Sequence, residues 1–412
     1  MNSGEGGAHA HSTAEAVARR SYGKLVAFLA ARTRDVAAAE DALSDAFAAA
    51  LATWPRDGCP ANSEAWLLTV ARRKITDIYR GRRRDEDATT QRALVGTYLS
   101  DDADIPDQRL ALMFVCAHPA IEVAVRPALM LQVVLGLEAK TIASAFLTSP
   151  AAMSKRLVRA KNKIREAAIP FVIPERQELP ARVGAVLDAI YAGFTEGWTD
   201  AVGADVARRD LTAEAMFLAR LITELLPDEP EALGLLALML FAEARRLARR
   251  EVDGEYVPLA EQDTTLWDWQ MIAEAEALLR RASGLGVIGR YQLEGALQSA
   301  HVHRCRSGRA NWREVVQIYD ALLSMTASPV VAINRALAIA EIDGAAAALD
   351  AMGHVAEDPR LAEYQPYWAA RAELLAKSGA HEEARAAYQM AIGLERDPAV
   401  RRFLQRRQSG IR

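Results

Sequence analysis

Along almost the whole chain, apolar residues recur at intervals of three and four, and no run of alternating β-branched residues interrupts them. That spacing buries one stripe of a helix. It cannot bury one face of a strand, whose side chains alternate sides. The sequence therefore predicts an all-α protein. Abundant alanine and an aromatic content of 6% point the same way, since both favour helix over sheet. In Val36–Trp54, VAAAEDALSDAFAAALATW, the residues Leu43, Phe47, Ala50 and Leu51 fall on one apolar stripe. A break rich in Pro, Gly and Asn follows at Trp54–Ser63, and Ser63 is placed to cap the next helix.

A length of 412 residues predicts about two to four domains. Two stretches divide the chain. Asp85–Asp107 reads as an acidic linker, and Ile169–Pro180 carries three prolines. The expected units are 14–84, the linker 85–107, 108–170 and a long helical tail, 181–407. The tail has a period: Gly308, Gly344 and Gly379 each end one helix pattern and precede another. In its last unit Trp368, Ala372, Leu375, Gly379, Ala384, Tyr388, Ala391 and Pro398 follow the tetratricopeptide spacing of large and small residues. Such units stack into a solenoid with a concave groove. The other reading is an irregular helical domain with accidental periodicity.

Several classes are disfavoured. Cys59, Cys116 and Cys305 are odd in number and far apart, which is no disulfide framework and suits a reducing cytoplasm. The N-terminus is small and polar, without the apolar core of a signal peptide. The longest apolar run, Ala232–Ala242, is too short to span a bilayer. No nucleophile–base pair or phosphate loop points to an enzyme, and no cofactor is expected. Gly284–Gly289 reads as a loop. His301 and Cys305 share a helical face, and Cys116 and His118 form Cys-x-His; either is half a metal site at most.

Charge is unevenly spread. Residues 1–173 carry 23 Lys and Arg against 19 Asp and Glu, and the remainder 27 against 35. The basic excess lies in two clusters. The first is Arg72, Arg73, Lys74, Arg80, Arg82, Arg83 and Arg84, with Trp66 upstream. An aromatic residue beside cations suits partly opened DNA, where bases stack and phosphates are held; for Trp66 a place in the core is the equal alternative. The second is KRLVRAKNKIRE, Lys155–Glu166. Before it, a short helix at Ala139–Phe146, a turn at Leu147–Ser149 and a helix opening at Pro150 with Ser149 as cap make a helix-turn-helix. Ile142, Ala143, Phe146, Met153, Leu157 and Ile164 form its expected buried face. Ala151, Ala152, Ser154 and Lys155 are then placed to face bases, and Arg156, Arg159, Lys161 and Lys163 to meet phosphates. The bland reading is a solvated basic face.

At this point the sequence resembles a known family. AAAEDALSDAFAAAL is similar to the core-polymerase-binding helix of bacterial sigma factors. EAWLLTVARRKITDIYRGRRR resembles the adjoining helix that reads and melts the −10 element, and TIASAFLTSPAAMSKRLVRAKNKIR the −35 reader. FVCAHPAI and the tail segments GAVLDAIYAGFTEGW and RYQLEGALQSAH narrow the likeness to the extracytoplasmic-function branch, in its group with a long tetratricopeptide-like extension. The resemblance implies that Asp41, Asp45, Phe47 and Leu51 face the polymerase β′ clamp, with the β flap as a second contact. It implies that Arg56–Ser63, including Asn62, together with Trp66 captures a flipped −10 base, while Arg72, Arg73, Lys74 and Arg80–Arg84 hold that DNA. The linker would follow the RNA exit path or serve as a plain tether. The implied partners are core RNA polymerase, promoter DNA and a protein or small molecule bound by the extension, in the cytoplasm and without a membrane. The competing reading is a helix-turn-helix regulator with a tetratricopeptide sensor that acts without polymerase. A pure adaptor using only the groove is a third.

Overall fold

The computed structural model describes residues 3–33, 35–85, 107–166, 173–198 and 206–411. Among them the regular elements are α-helices and short 3₁₀ turns, with one isolated antiparallel bridge between Arg250 and Tyr256. The fold is all-α. No helix among the described residues is long and apolar enough to cross a membrane. The chain forms two compact units, 1–197 with 209–221, and 198–208 with 222–412.

The first unit opens with α1 (Ser3–Thr33), α2 (Val36–Asp57) and α3 (Ser63–Asp85). Asp35 caps α2 by accepting from the Ala38 amide at 3.0 Å. α2 continues past the expected break at Trp54 to Asp57, with Pro55 inside its last turn. Gly58, at φ 85°, then closes the helix by donating to the Trp54 carbonyl. The cap of α3 is Asn62 rather than Ser63: its Oδ1 accepts from the Ala65 amide at 3.0 Å.

α4 (Gln108–Cys116), α5 (Arg126–Val133), α6 (Ala139–Ala145), α7 (Pro150–Glu166) and α8 (Leu179–Trp198) follow, and α9 (Val206–Leu225) contributes its residues 209–221. Asp107 caps α4 through the Arg109 and Leu110 amides. Arg109 also pairs with Asp107 and, from α9, with Glu214. Residues 110–116 are buried all round. α8 is held on this unit by the Arg182 guanidinium, which donates to the Phe114 carbonyl at 3.4 Å. Gly193 of α8 sits where a Cβ would come within 2.6 Å of the Leu135 side chain.

One approach is closer still. A Cβ on Gly23 of α1 would lie 1.5 Å from the Val134 carbonyl oxygen, just beyond α5. That obstacle is backbone and cannot rotate away. The Tyr22 ring packs beside it over Gly136, 3.6 Å from where a Cβ there would lie.

The second unit contains α10 (Pro230–Glu243), α11 (Trp269–Gly284), α12 (Arg290–Ser307), α13 (Trp312–Thr326), α14 (Pro329–Asp343), α15 (Ala345–Gly353), α16 (Gln365–Lys377), α17 (His381–Leu394) and α18 (Pro398–Ser409). The expectation of unbroken helix after 180 fails between Arg245 and Asp268. That stretch holds short 3₁₀ turns and the bridge, pinned by Arg250 to Asp397 and by Glu255 to Arg402 and Arg406. α10 and α12 run parallel. At one end the Glu231 carboxylate accepts from the Tyr291 and Gln292 amides at 2.8 and 3.1 Å, capping α12 from a neighbouring helix. Just beyond the other end of α10, Arg245 donates to Gln298, midway along α12, at 2.7 Å. Gly308, Gly344 and Gly379 each follow a helix at positive φ. Between α16 and α17, Ala372, Ala384, Tyr388 and Ala391 form one buried cluster with Leu375.

Two outcomes follow. Gly23→Ala is expected to destabilise the first unit by about 2 kcal/mol or more, the cost of overpacking against an obstacle that cannot rearrange; urea unfolding measures it. In the second unit, burial and the guanidinium groups of Arg245 and Arg304 push the His301 imidazole down to about 4. The unfolded chain binds that proton first, near its ordinary value of about 6.5. Stability is therefore expected to fall by up to about 3 kcal/mol as pH drops from about 6.5 to 4. His301→Gln should lose that part of the pH dependence.

Candidate nucleic-acid and polymerase interface

All the sequence-predicted site residues belong to α2, α3 and α7, or to the loop before α3, in the first unit. On α2 the buried stripe is Ala42, Leu43, Ala46, Ala50 and Trp54. Leu51, expected on that stripe, is 38% exposed instead. Asp41 and Asp45 are exposed with it, so two carboxylates and one leucine share an outward face. Phe47 is half-buried, its ring stacked on Tyr22 at 6.5 Å. Asp45 pairs with Lys74 of α3 at 3.5 Å.

The start of α3 adjoins a cavity of about 410 Å³. Asn62 and Glu64 line it on one side, and His9, Ser12 and Thr13 of α1 on the other. Trp66 is half-buried and meets Trp54 edge-on at 5.5 Å. It therefore shows one part to the core and another to solvent. Arg72 lies over the Phe28 ring at 4.9 Å. Arg73 is exposed and has no partner among the described residues. The side chains of Arg80, Arg82, Arg83 and Arg84 lie outside the described residues, as does the acidic segment 86–106.

The helix-turn-helix geometry is legible in the sequence almost to the residue. Ile142, Ala143, Met153 and Leu157 are buried, and Phe146 and Ile164 are half-buried. The turn is tight because Leu147 takes a left-handed conformation, φ 48°, which lets Thr148 donate back to the Ala143 carbonyl at 3.0 Å. Ser149 then caps α7, accepting from the Ala152 amide at 3.2 Å. On α7, Ala151, Ser154, Lys155, Arg156, Arg159 and Lys163 are exposed on one broad face, with Ala152 half-buried at its edge.

Lys161 differs from its basic neighbours. It is half-buried and donates to Glu40 of α2 at 2.9 Å. Burial raises the Glu40 carboxyl while Lys161 pulls it back down. Burial pushes the nearby Cys116 thiol up to about 12. Sequence reasoning missed Glu40, which stands beside Asp41 in the same acidic motif. The signal was an acidic residue in phase with the buried Leu43 and Ala39 face rather than with Asp41 and Asp45. His118 accepts from the Ala120 amide at 3.1 Å. No cluster of metal ligands occurs among the described residues.

Comparison with known proteins completes the picture. The Sigma-70 region 2 family matches residues 17–85, which span α2, α3 and most of α1. A family of unknown function (DUF6596) matches residues 182–283. The chain is 37% identical over 370 residues to "Uncharacterized protein R00370" of Rhizobium meliloti (strain 1021), covering 88% of this chain and 87% of that protein. No solved structure matches the chain. The chain belongs to one family with that Rhizobium protein, and its first three helices carry a match to Sigma-70 region 2, which supports a sigma-70 family factor.

Proposed function

We propose that this chain binds core RNA polymerase through the Asp41, Asp45, Phe47 and Leu51 face of α2 and reads promoters with two separate helices. α3 with Asn62 and Trp66 takes the −10 element, and the exposed face of α7 takes the −35 element. The proposal assigns it to the extracytoplasmic-function branch with a helical C-terminal extension that regulates it, working in the cytoplasm as a transcription factor rather than an enzyme. The observation that carries this reading is the match of Sigma-70 region 2 to a segment followed by a helix-turn-helix with an exposed basic face. The cavity beside Asn62 is of the size and polarity to receive a flipped base.

The ion pair between Lys161 and Glu40 supports dependence on polymerase. The −35 and −10 elements lie about 25 base pairs apart, roughly 85 Å of B-form DNA at 3.4 Å per step. The −35 reader α7 is tied by a 2.9 Å contact to α2, the helix that precedes the −10 reader α3, and that arrangement is far shorter than the distance to be spanned. The pair must part before both elements are read, and docking beside it on α2 is a natural trigger. Free protein is then a poor promoter binder, and the holoenzyme a good one.

The test uses the full chain, because a fragment ending at Ile173 would strip α8 from α4. Mixed with bacterial core polymerase, the chain is expected to co-elute as a complex, and the Asp41→Arg, Asp45→Arg double variant to lose at least tenfold in affinity. Neutralising Lys155, Arg156 and Arg159 to Gln should leave that complex intact. It should lower the salt slope of promoter binding by about 2 to 3, close to one for each phosphate no longer neutralised. A chain that binds DNA through α7 yet never joins polymerase would establish the regulator reading instead.

A further inference from the structure

The sequence motif HVHRC, His301–Cys305, has no part in the proposed polymerase and promoter contacts. Its residues lie on α12 of the second unit, at a cavity of about 310 Å³ lined by α12, α13, α14 and α16. The electrostatics there are wrong for a metal cation. The His301 Nδ1 faces the Arg304 guanidinium at 2.8 Å. An arginine only donates, so Nδ1 accepts and the proton of the neutral ring sits on Nε2, 3.5 Å from the Cys305 sulfur. Arg245 and Arg304 both act on this imidazole as positive charges, and no acid counters them there.

Neither arginine has a carboxylate partner among the described residues. Arg245 is only 6% exposed and makes two neutral hydrogen bonds, to the Phe241 carbonyl at 3.0 Å and to Gln298 Oε1 at 2.7 Å. Burial drives its guanidinium down to about 10. Arg304 lies 3.9 Å over the Trp312 ring and donates to Asn311 Oδ1 at 2.9 Å. Buried cations are ordinarily matched by an anion, since desolvating a charge without one is costly. This unit has carboxylates to spare, and the one that lines the cavity, Glu341, lies against Lys377 rather than against either arginine.

Donors are in surplus as well. Gln298 lines the cavity, and because its Oε1 is taken by Arg245, its Nε2 is left without a partner among the described residues. Trp267, whose ring lies 5.9 Å from that of His301, has a buried Nε1–H that finds no acceptor among them. At the rim Lys377 lies between two carboxylates, 3.7 Å from Glu373 and 3.9 Å from Glu341. Arg304 lines the cavity without a carboxylate partner among the described residues, and Arg245 is bonded to Gln298 of the same wall. Leu259, Leu297, Val315, Leu337 and Leu374 give the cavity an apolar side, and Tyr319 and Asn334 add polar atoms to it.

We propose that this cavity is a binding site for a small organic monocarboxylate with an apolar body, its carboxylate held by Arg304 and the Gln298 amide and its body against the leucines. The guanidinium offers a planar carboxylate two parallel hydrogen bonds. The volume, near the lower end for ligand cavities, fits a molecule of that size. The site holds whether or not the first unit binds polymerase.

The probes are phenylacetate and 4-methylpentanoate, with phenylacetamide and acetate as controls. Titration calorimetry on the full chain gives the readout, with Trp312 fluorescence as a second. Saturable binding of at least one apolar carboxylate is expected. The amide, which lacks the charge, and acetate, which lacks the body, should each bind at least tenfold more weakly. Arg304→Gln should weaken the carboxylate at least tenfold. Ala340→Phe, which fills the cavity without touching a cation, should abolish binding while the circular dichroism of the helices is unchanged. Absence of saturable binding by both carboxylates up to about 10 mM would overturn the proposal. So would equal affinity for acid and amide, or binding that survives Ala340→Phe.

Discussion

Close approach of helix backbones where a side chain is missing is the constraint on which both units depend. In the first, Gly23 lets α1 lie directly on the Val134 carbonyl. In the second, Gly234 of α10 sits where a Cβ would come within 2.6 Å of the Gln292 amide nitrogen on α12. Helices this near bury their small residues completely, as Ala27, Ala30 and Ala39 show in the first unit and Ala372, Ala384 and Ala391 in the second. An alanine-rich, aromatic-poor chain can form a dense core only in this way. Bulky side chains would fill the same space at larger helix separations.

Buried charge is treated differently in the two units. Glu40 and Lys161 bring opposite charges together from distant parts of the chain, so that the cost of burying each is offset by the other. Removing either partner would strand the other. Arg245 has only amide and carbonyl oxygens around it. The first arrangement suits a contact that opens and closes as a whole. The second suits a place where something from outside completes the set.

Legibility from sequence follows the range of the interactions. The helix-turn-helix is readable because its signals are local: Pro150 and Ser149 open α7, and the apolar phase fixes which side is buried. The glycines at 308, 344 and 379 are readable for the same reason. Pairings across long separations are not. Nothing near Lys161 in sequence distinguishes it from Lys163, yet one is tied to Glu40 and the other is exposed. Leu51 departs from its expected stripe because an alanine-rich helix has no clear edge to its apolar side. Residues 245–268 depart from the expected helix because the ion pairs that hold them reach to Asp397, Arg402 and Arg406.

The Glu231 cap has a mechanical consequence. It fastens the first turn of α12 to the first turn of α10, and Arg245, just beyond the far end of α10, is tied to Gln298 on α12. Two neighbouring helices tied at their first turns, and again halfway along α12, resist sliding past each other. Gln298 is therefore held at a fixed height against Arg245 by the frame. A strain applied at Glu231, some 21 Å away along a 14-residue helix, would reach the amide that lines the cavity.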